Sequence, residues 1–315
     1  MSDSPASNWP ELPYGAWQET CATLHLWTQI VGKVRLAHTP WLNHSWHVPL
    51  YVTARGLTTS PIPYGSRSFE ILFDFNAHVL DVDVSDGSSR RIALQPRTVA
   101  DFHAALLEAL TELDLATAID PRPCEIADAL PFDRDRVHAA YDAGYAHRFW
   151  RALVQIDRAL KQFRTGFLGK SSPVHFFWGS FDLAVTRFSG RPAPPFTTPI
   201  PGLAAAVMRE AYSHEVSSAG FWPGSSALPW PAFYSYAYPT PAGFKERPVR
   251  PAAASFNEAL GEFLLPYEAV RTAADPEAVL LAFLESTYEA AAESGGWDRA
   301  HLECPPGECG MPRKA

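Results

Sequence analysis

Three short segments place histidine where imidazole chemistry could be used. Asn43-His44-Ser45-Trp46-His47 stands just ahead of an alternating run, His175 opens the string His-Phe-Phe-Trp-Gly, and His214 is followed by Glu215 between serines. Imidazole titrates near neutral pH and ligates metals through a neutral nitrogen, so a histidine at a strand end beside aromatic rings suits a general base or a metal ligand. His175, His214 and Glu215 are the expected catalytic set, for acid–base work or for holding a divalent metal as two imidazoles and a carboxylate. The plainer alternative for each is a half-buried core histidine bonded to backbone. The spacing is non-local, so convergence is not visible in the chain.

A second group is cationic. Arg55 ends the polar side of an early alternating run, Arg187 and Arg191 end a later one, and Lys170 stands ahead of it in Gly-Lys-Ser-Ser. The planar guanidinium suits carboxylate or phosphate recognition. Arg55 and Arg187 are therefore expected to bind an anionic ligand, with Tyr51, Asp182 and Tyr236 beside them. The competing reading is internal ion pairing with Asp74, Asp182, Glu215 or Glu268. The Gly-Lys-Ser-Ser string follows a helix and lacks the upstream glycine spacing of a phosphate loop. Nucleophile-elbow, dinucleotide and zinc-helix motifs are missing too, which lowers the expectation of those enzyme classes.

These groups need elements to hold them. Residues 15–37 place Leu24, Trp27, Ile30, Val31 and Val34 on one helical stripe. Residues 46–56 alternate as a strand, with Val48, Leu50 and Val52 on its apolar face. Residues 68–75, 78–84 and 90–96 read as three more strands, the last two turned by Asp86-Gly87. Thr98 offers a cap for a helix with Val99, Phe102, Leu106, Leu110 and Leu113 on its stripe. A Pro- and Asp-rich crossing spans 114–134, then a helix is expected over 135–165 with Asp135 as its cap. Residues 173–191 read as two strand pieces broken at Gly179, with Phe181, Leu183 and Val185 on one face and Ser180, Asp182 and Thr186 on the other. A proline-rich loop covers 191–202, and strands are expected over 210–224 and 232–239, where Tyr234, Tyr236 and Tyr238 share a face. Asp275-Pro276 starts a final helix that ends near Gly295-Gly296.

The pattern predicts an α+β fold. It has two similar helix–antiparallel-sheet–helix halves, about 10–115 and 135–299, around a shared aromatic-rich core in one domain, 1–299. Residues 300–315 are expected as a mobile tail; there Cys304 and Cys309 could bind a metal, form a loop disulfide or be incidental. The 10 Trp, 11 Tyr and 19 Phe suit a thick core, a ligand-lined cavity or both. Charged residues at 19% and hydrophobic residues at 47% exclude a disordered chain. A net charge of −8 with no Lys/Arg block argues against nucleic acid as a partner. No apolar run reaches membrane-spanning length, and the first fifteen residues are polar without a leader's apolar stretch, so the cytoplasm is the expected address. Oligomeric state stays open.

Several longer strings occur together: NHSWHVPLYVTARGLTTSPIPYG, SPVHFFWGSFDLAVTRFSGR, EAYSHEVSSAGFWPG, FYSYAYP and LPYEAVR. In these the chain resembles a bacterial family catalogued only as a domain of unknown function, from Trp9 to about Arg299. The resemblance implies one complete family unit with a short extra tail from about Leu302, and brings no activity, cofactor or site residue with it. The leading expectation is an enzyme acting on a small, anionic, partly apolar molecule in an aromatic-lined pocket. The alternatives are a non-catalytic ligand binder or sensor, and a structural partner in a complex.

Overall fold

Alternating apolar residues build two antiparallel sheets of six strands each in a computed structural model that describes residues 8–313. The first holds β1 (Tyr51–Val52), β2 (Gly56–Thr58), β3 (Ile62–Tyr64), β4 (Arg67–Asp74), β5 (Val79–Val84) and β6 (Ser89–Ala93), in the order β1-β2-β4-β5-β6 with β3 also on β4. The second holds β7 (His175–Phe177), β8 (Asp182–Pro192), β9 (His214–Trp222), β10 (Ala232–Tyr238), β11 (Ser255–Asn257) and β12 (Glu262–Pro266), in the order β11-β12-β10-β9-β8-β7. Leu50 and Phe176 exchange two backbone bonds of 2.8 Å, which ties the first sheet's edge to β7.

Seven helices pack on this frame among the described residues: α1 (Tyr14–His38), α2 (Val99–Glu112), α3 (Ala143–Thr165), α4 (Ala205–Ala211), α5 (Tyr267–Arg271), α6 (Pro276–Ser294) and α7 (Arg299–Leu302). None is long and apolar enough to cross a membrane. One buried cluster draws on both halves. In it Trp27 of α1 stacks on Phe102 of α2 at 4.5 Å, and Phe149 of α3 stacks on Phe181 at 5.3 Å. The apolar faces expected for the two alternating runs are inside: Val48, Leu50, Phe181, Leu183 and Val185 are buried and Val52 is half-buried. Thr98 caps α2 by accepting from Asp101 N at 3.0 Å, and Asp275 caps α6 by accepting from Ala278 N at 3.0 Å, as their spacing requires.

Three local expectations are corrected. The third helix starts at Ala143, because Asp142 accepts from Tyr145 N at 2.9 Å. Asp135 instead closes a turn onto Val137 N and His138 N, which removes those amides from any helix. The run 46–56 is not one strand: it pairs at Tyr51–Val52, then Thr53 Oγ1 accepts from Arg55 N and Gly56 N and folds the chain back into β2 at Gly56. Gly56 is required there: a Cβ would lie 1.6 Å from Phe73 O. The strand expected from 210 begins at His214, because Ala205–Ala211 is a run of good helix formers.

Residues 302–307, within the expected tail, bond to the end of α3 and the loop after it. Leu168 N donates to Leu302 O at 2.7 Å, Cys304 N to Gly166 O at 3.2 Å, and Gly307 N to Thr165 Oγ1 at 2.9 Å. Arg299 holds Glu293 at 2.8 Å and Glu303 at 2.6 Å. The cysteines are free, and Cys304 Sγ donates to Thr165 O. Backbone bonds and ion pairs carry this contact, so no apolar periodicity announces it. Each such bond contributes about 0.5–1.5 kcal/mol, so removing residues 300–315 should lower the melting temperature by several degrees. A thermal scan unchanged within about 2 °C would show the docking to be energetically empty.

Candidate functional site

The second sheet separates its side chains by strand alternation. Leu183, Val185 and Arg187 of β8 turn toward the helices, where the Arg187 guanidinium lies 3.5 Å from the Phe163 ring and 4.4 Å from the Tyr288 ring. Asp182, Ala184, Thr186 and Phe188 turn to the other face and form the floor of a cavity of about 430 Å3. That size is within the range of small-molecule pockets.

Strand register writes the floor out row by row. His175 pairs with Ala184, Ala184 with Gly220, and Gly220 with Tyr234. The next row runs Thr186, Ser218, Tyr236. Small residues in the middle make the floor concave. A Cβ on Gly220 would lie 2.5 Å from both Tyr234 Oη and Leu183 O. The gap lets the Tyr234 phenol cross over β9 and donate to Asp182 Oδ2. Ser180 Oγ donates to Asp182 Oδ1, so both oxygens of that carboxyl are held by hydroxyls. Thr186 and Ser218 hydroxyls bond at 2.9 Å, as do those of Tyr212 and Tyr236.

The walls come from three loops. One is the turn His44–Val48, one is the crossing around Asp120–Glu125, and the roof is 202–212 with α4. Helix α1 braces the crossing, and the turn between β7 and β8, from behind. His25 Nε2 donates to Gly179 O at 2.8 Å, and its ring stacks on Phe181 at 4.9 Å. Gln29 clamps Cys124 by a pair of bonds, 2.9 Å to its carbonyl and 2.8 Å from its amide. The neighbouring Glu125 carboxyl then lies against Gly179, where a Cβ would be 2.0 Å from Oε1. Non-glycine residues in the left-handed region gather here: His44 (φ 58°), Ser45 (φ 58°), Glu125 (φ 60°) and Phe181 (φ 58°). Such conformations cost about 1–3 kcal/mol each and persist where the surroundings over-determine them, which is common at functional sites.

The electrostatics are set by burial. Asp182, 4% exposed, is pushed up to about 6 by desolvation, against the opposing pull of the Ser180 and Tyr234 hydroxyls. Glu125 is pushed up to about 7, first by desolvation and then by the Asp182 charge. Glu125 is nevertheless exposed where it borders the cavity, so water screens part of that shift and Asp182 is the more firmly displaced of the two. His175, 1% exposed, is pushed down to about 3 by desolvation, and neither ring nitrogen has a partner. His44 is neutral as well: Nδ1 donates to Ala211 O at 3.1 Å and Nε2 accepts from Lys170 at 2.5 Å.

Of the residues expected from the sequence, His175, Asp182 and Tyr236 line this cavity. His214 lies at its edge, its ring 6.2 Å from that of His44 and its Nδ1 3.0 Å from Ser213 Oγ. Glu215, the next residue on the strand, must face the other way, and it accepts from Arg191 at 2.7 Å and Ser189 at 2.8 Å. The set His175, His214 and Glu215 is therefore not brought together. Among the described residues no three His, Cys, Asp or Glu side chains group as a metal ion would need. Arg55 pairs with Asp74 at 3.0 Å and Asp81 at 3.6 Å on the first sheet, and Tyr51 lies under Arg35 at 5.4 Å. Arg187 also fails to reach the cavity. It shares the parity of Leu183 and Val185, so alternation alone assigns it to the helix side.

Glu125, Ser180, Tyr212 and Tyr234 were missed as site residues. The signal for Tyr234 was a glycine inside a strand, which marks close approach of another group. The loop carrying Glu125 carries no such signal.

A family model described as a family of unknown function (DUF5996) matches residues 9–304. No curated protein and no solved structure matches the chain.

Proposed function

We propose, for a chain that belongs to this family of unknown function, that the cavity on the second sheet binds a small, largely apolar molecule and that Asp182 and Glu125 exchange a proton with it. The observation that carries the reading is Asp182. It is a buried carboxyl facing an aromatic cavity, acted on by burial and two hydroxyls and, among the described residues, by no cation. A buried charge without a counter-ion is costly, and a cavity that collects such groups more often serves a ligand than a fold. Carboxyls displaced to within about a unit of neutral pH are suited to general acid–base work. The expected anionic ligand loses its support, because both arginines meant to bind it lie elsewhere. The four free cysteines suit a reducing cytoplasm as the working compartment.

A second reading, a non-catalytic binder, is favoured by one detail. Both Asp182 oxygens already accept hydroxyls, which holds the carboxylate as a fixed charge. Ala184 in the floor tests the shared premise. Small fragments observed by ligand NMR should bind the wild type and fail to bind Ala184→Phe, whose ring fills the cavity. Equal binding by a folded Ala184→Phe would remove the cavity from consideration. With a fragment in hand, turnover lost in Asp182→Asn at fragment concentrations that saturate the variant supports the enzyme; binding with no turnover in the wild type supports the binder.

A further inference from the structure

The charges around the cavity are unbalanced. Asp182 and Glu125 face it, and each is influenced by burial, hydroxyls or the other carboxyl rather than by a cation. Among the described residues no arginine lines it. The lining lysine, Lys33, acts on Asp120 and Cys124 and lies 6.0 Å from the Phe132 ring. Lys170 is committed to His44 and lies over the Phe188 ring at 4.9 Å and the Trp46 ring at 5.4 Å.

Two independent features border the same space. The Trp222, Tyr234 and Tyr236 rings form a stacked ladder, with centroids 4.2 and 6.1 Å apart, whose last two members border the cavity. Aromatic faces attract a cation through the ring quadrupole. His175 is 1% exposed, lines the cavity and has both ring nitrogens without a partner among the described residues. A neutral imidazole presents one acceptor nitrogen, which accepts an N–H from a cationic group and would repel none of its charge. His175 pairs with Ala184, so Asp182 is one diagonal step away on the next strand, roughly 7–8 Å between backbones. A single nitrogen centre with a short apolar body can span that step.

We infer that the molecule bound in this cavity carries a cationic nitrogen, an ammonium or amidinium, placed between the Asp182 and Glu125 carboxyls against the Tyr234 and Tyr236 rings, with His175 accepting a hydrogen bond from it. The inference rests on the proposed function only in taking the cavity as the ligand site. A carboxylate ligand would add a third negative charge to an uncompensated pair. A neutral alcohol would leave both carboxyls without a counter-charge.

The test uses the full chain and three probes of one shape: phenethylamine, 2-phenylethanol and phenylacetate, titrated at pH 8 by calorimetry. Phenethylamine should bind at least tenfold tighter than 2-phenylethanol, and phenylacetate most weakly. Asp182→Asn should weaken the amine at least tenfold and leave the alcohol within about twofold. Glu125→Gln gives the same test should Asp182→Asn fold poorly. Binding of the alcohol or the acid in preference to the amine, or an amine affinity unchanged in both variants, overturns the cationic assignment and leaves the cavity as a ligand site. Failure of all three probes to bind the folded wild type at millimolar concentration overturns the assignment together with the cavity reading.

Discussion

Asp182→Asn should stabilise the unliganded protein at pH 8 by roughly 2–3 kcal/mol and confer no advantage at pH 4. Burial pushes this carboxyl from 3.8 to about 6 in the folded state, and each pKa unit corresponds to about 1.36 kcal/mol. The folded state therefore holds its proton to higher pH than the unfolded chain does. Wild-type stability is fully present below the unfolded pKa and is lost as pH rises through the folded one, between about pH 4 and pH 7. Asparagine removes the charge, so the gap between variant and wild type opens across that same window. Urea unfolding at pH 4, 6 and 8 reads it directly. A gap that stays constant with pH would mean the Asp182 charge is already neutralised, and the case for an unsatisfied site would fall with it.

Gly220→Ala should destabilise the protein by about 3–5 kcal/mol. The added Cβ would lie 2.5 Å from Leu183 O and from Tyr234 Oη, so either the sheet or the phenol must shift. Overpacking of this kind costs about 1–3 kcal/mol. Losing a hydrogen bond to a charged group, here Tyr234 on Asp182, costs about 1.5–3 kcal/mol more. Tyr234→Phe separates the contributions, since it removes only the hydroxyl and should lose about 1.5–3 kcal/mol. Chemical denaturation of the two variants decides it. Gly220→Ala within about 1 kcal/mol of wild type would show that the crossing over β9 is not constrained, and a neutral Tyr234→Phe that the hydroxyl does not hold Asp182.

Some of this site was open to reading from local pattern. The faces of β8 and the tyrosine side of β10 follow from period-two alternation, because consecutive side chains on a strand point to opposite sides. Asp182 and Tyr236 follow from that alternation and line the cavity, as does His175, which is marked by its residue type at a strand start. The same rule, applied strictly, separates His214 from Glu215 and puts Arg187 with Leu183 and Val185. For Glu215 and Arg187, parity along the strand and not side-chain type sets the face.

The sequence alone determined the helix ends capped by Thr98 and Asp275, the alternating runs that became β4, β5, β8 and β10, and the α+β class. These are properties of neighbours a few residues apart, where dihedral preference and side-chain period act directly. Tertiary structure alone decided where the cavity lies, that Asp182 and Glu125 border it together, and that Glu215 of the expected set His175, His214 and Glu215 turns away from it. It decided too that Gln29 and His25 brace the cavity from α1, and that residues 300–307 dock on the end of α3. Those contacts join residues separated by about 57 to 154 positions or rest on backbone bonds that any residue can make. No local period records them. The strand register of the second sheet sets Asp182 and the tyrosines in the floor, and the packing of α1 and the crossing loop against that sheet brings the remaining groups to it.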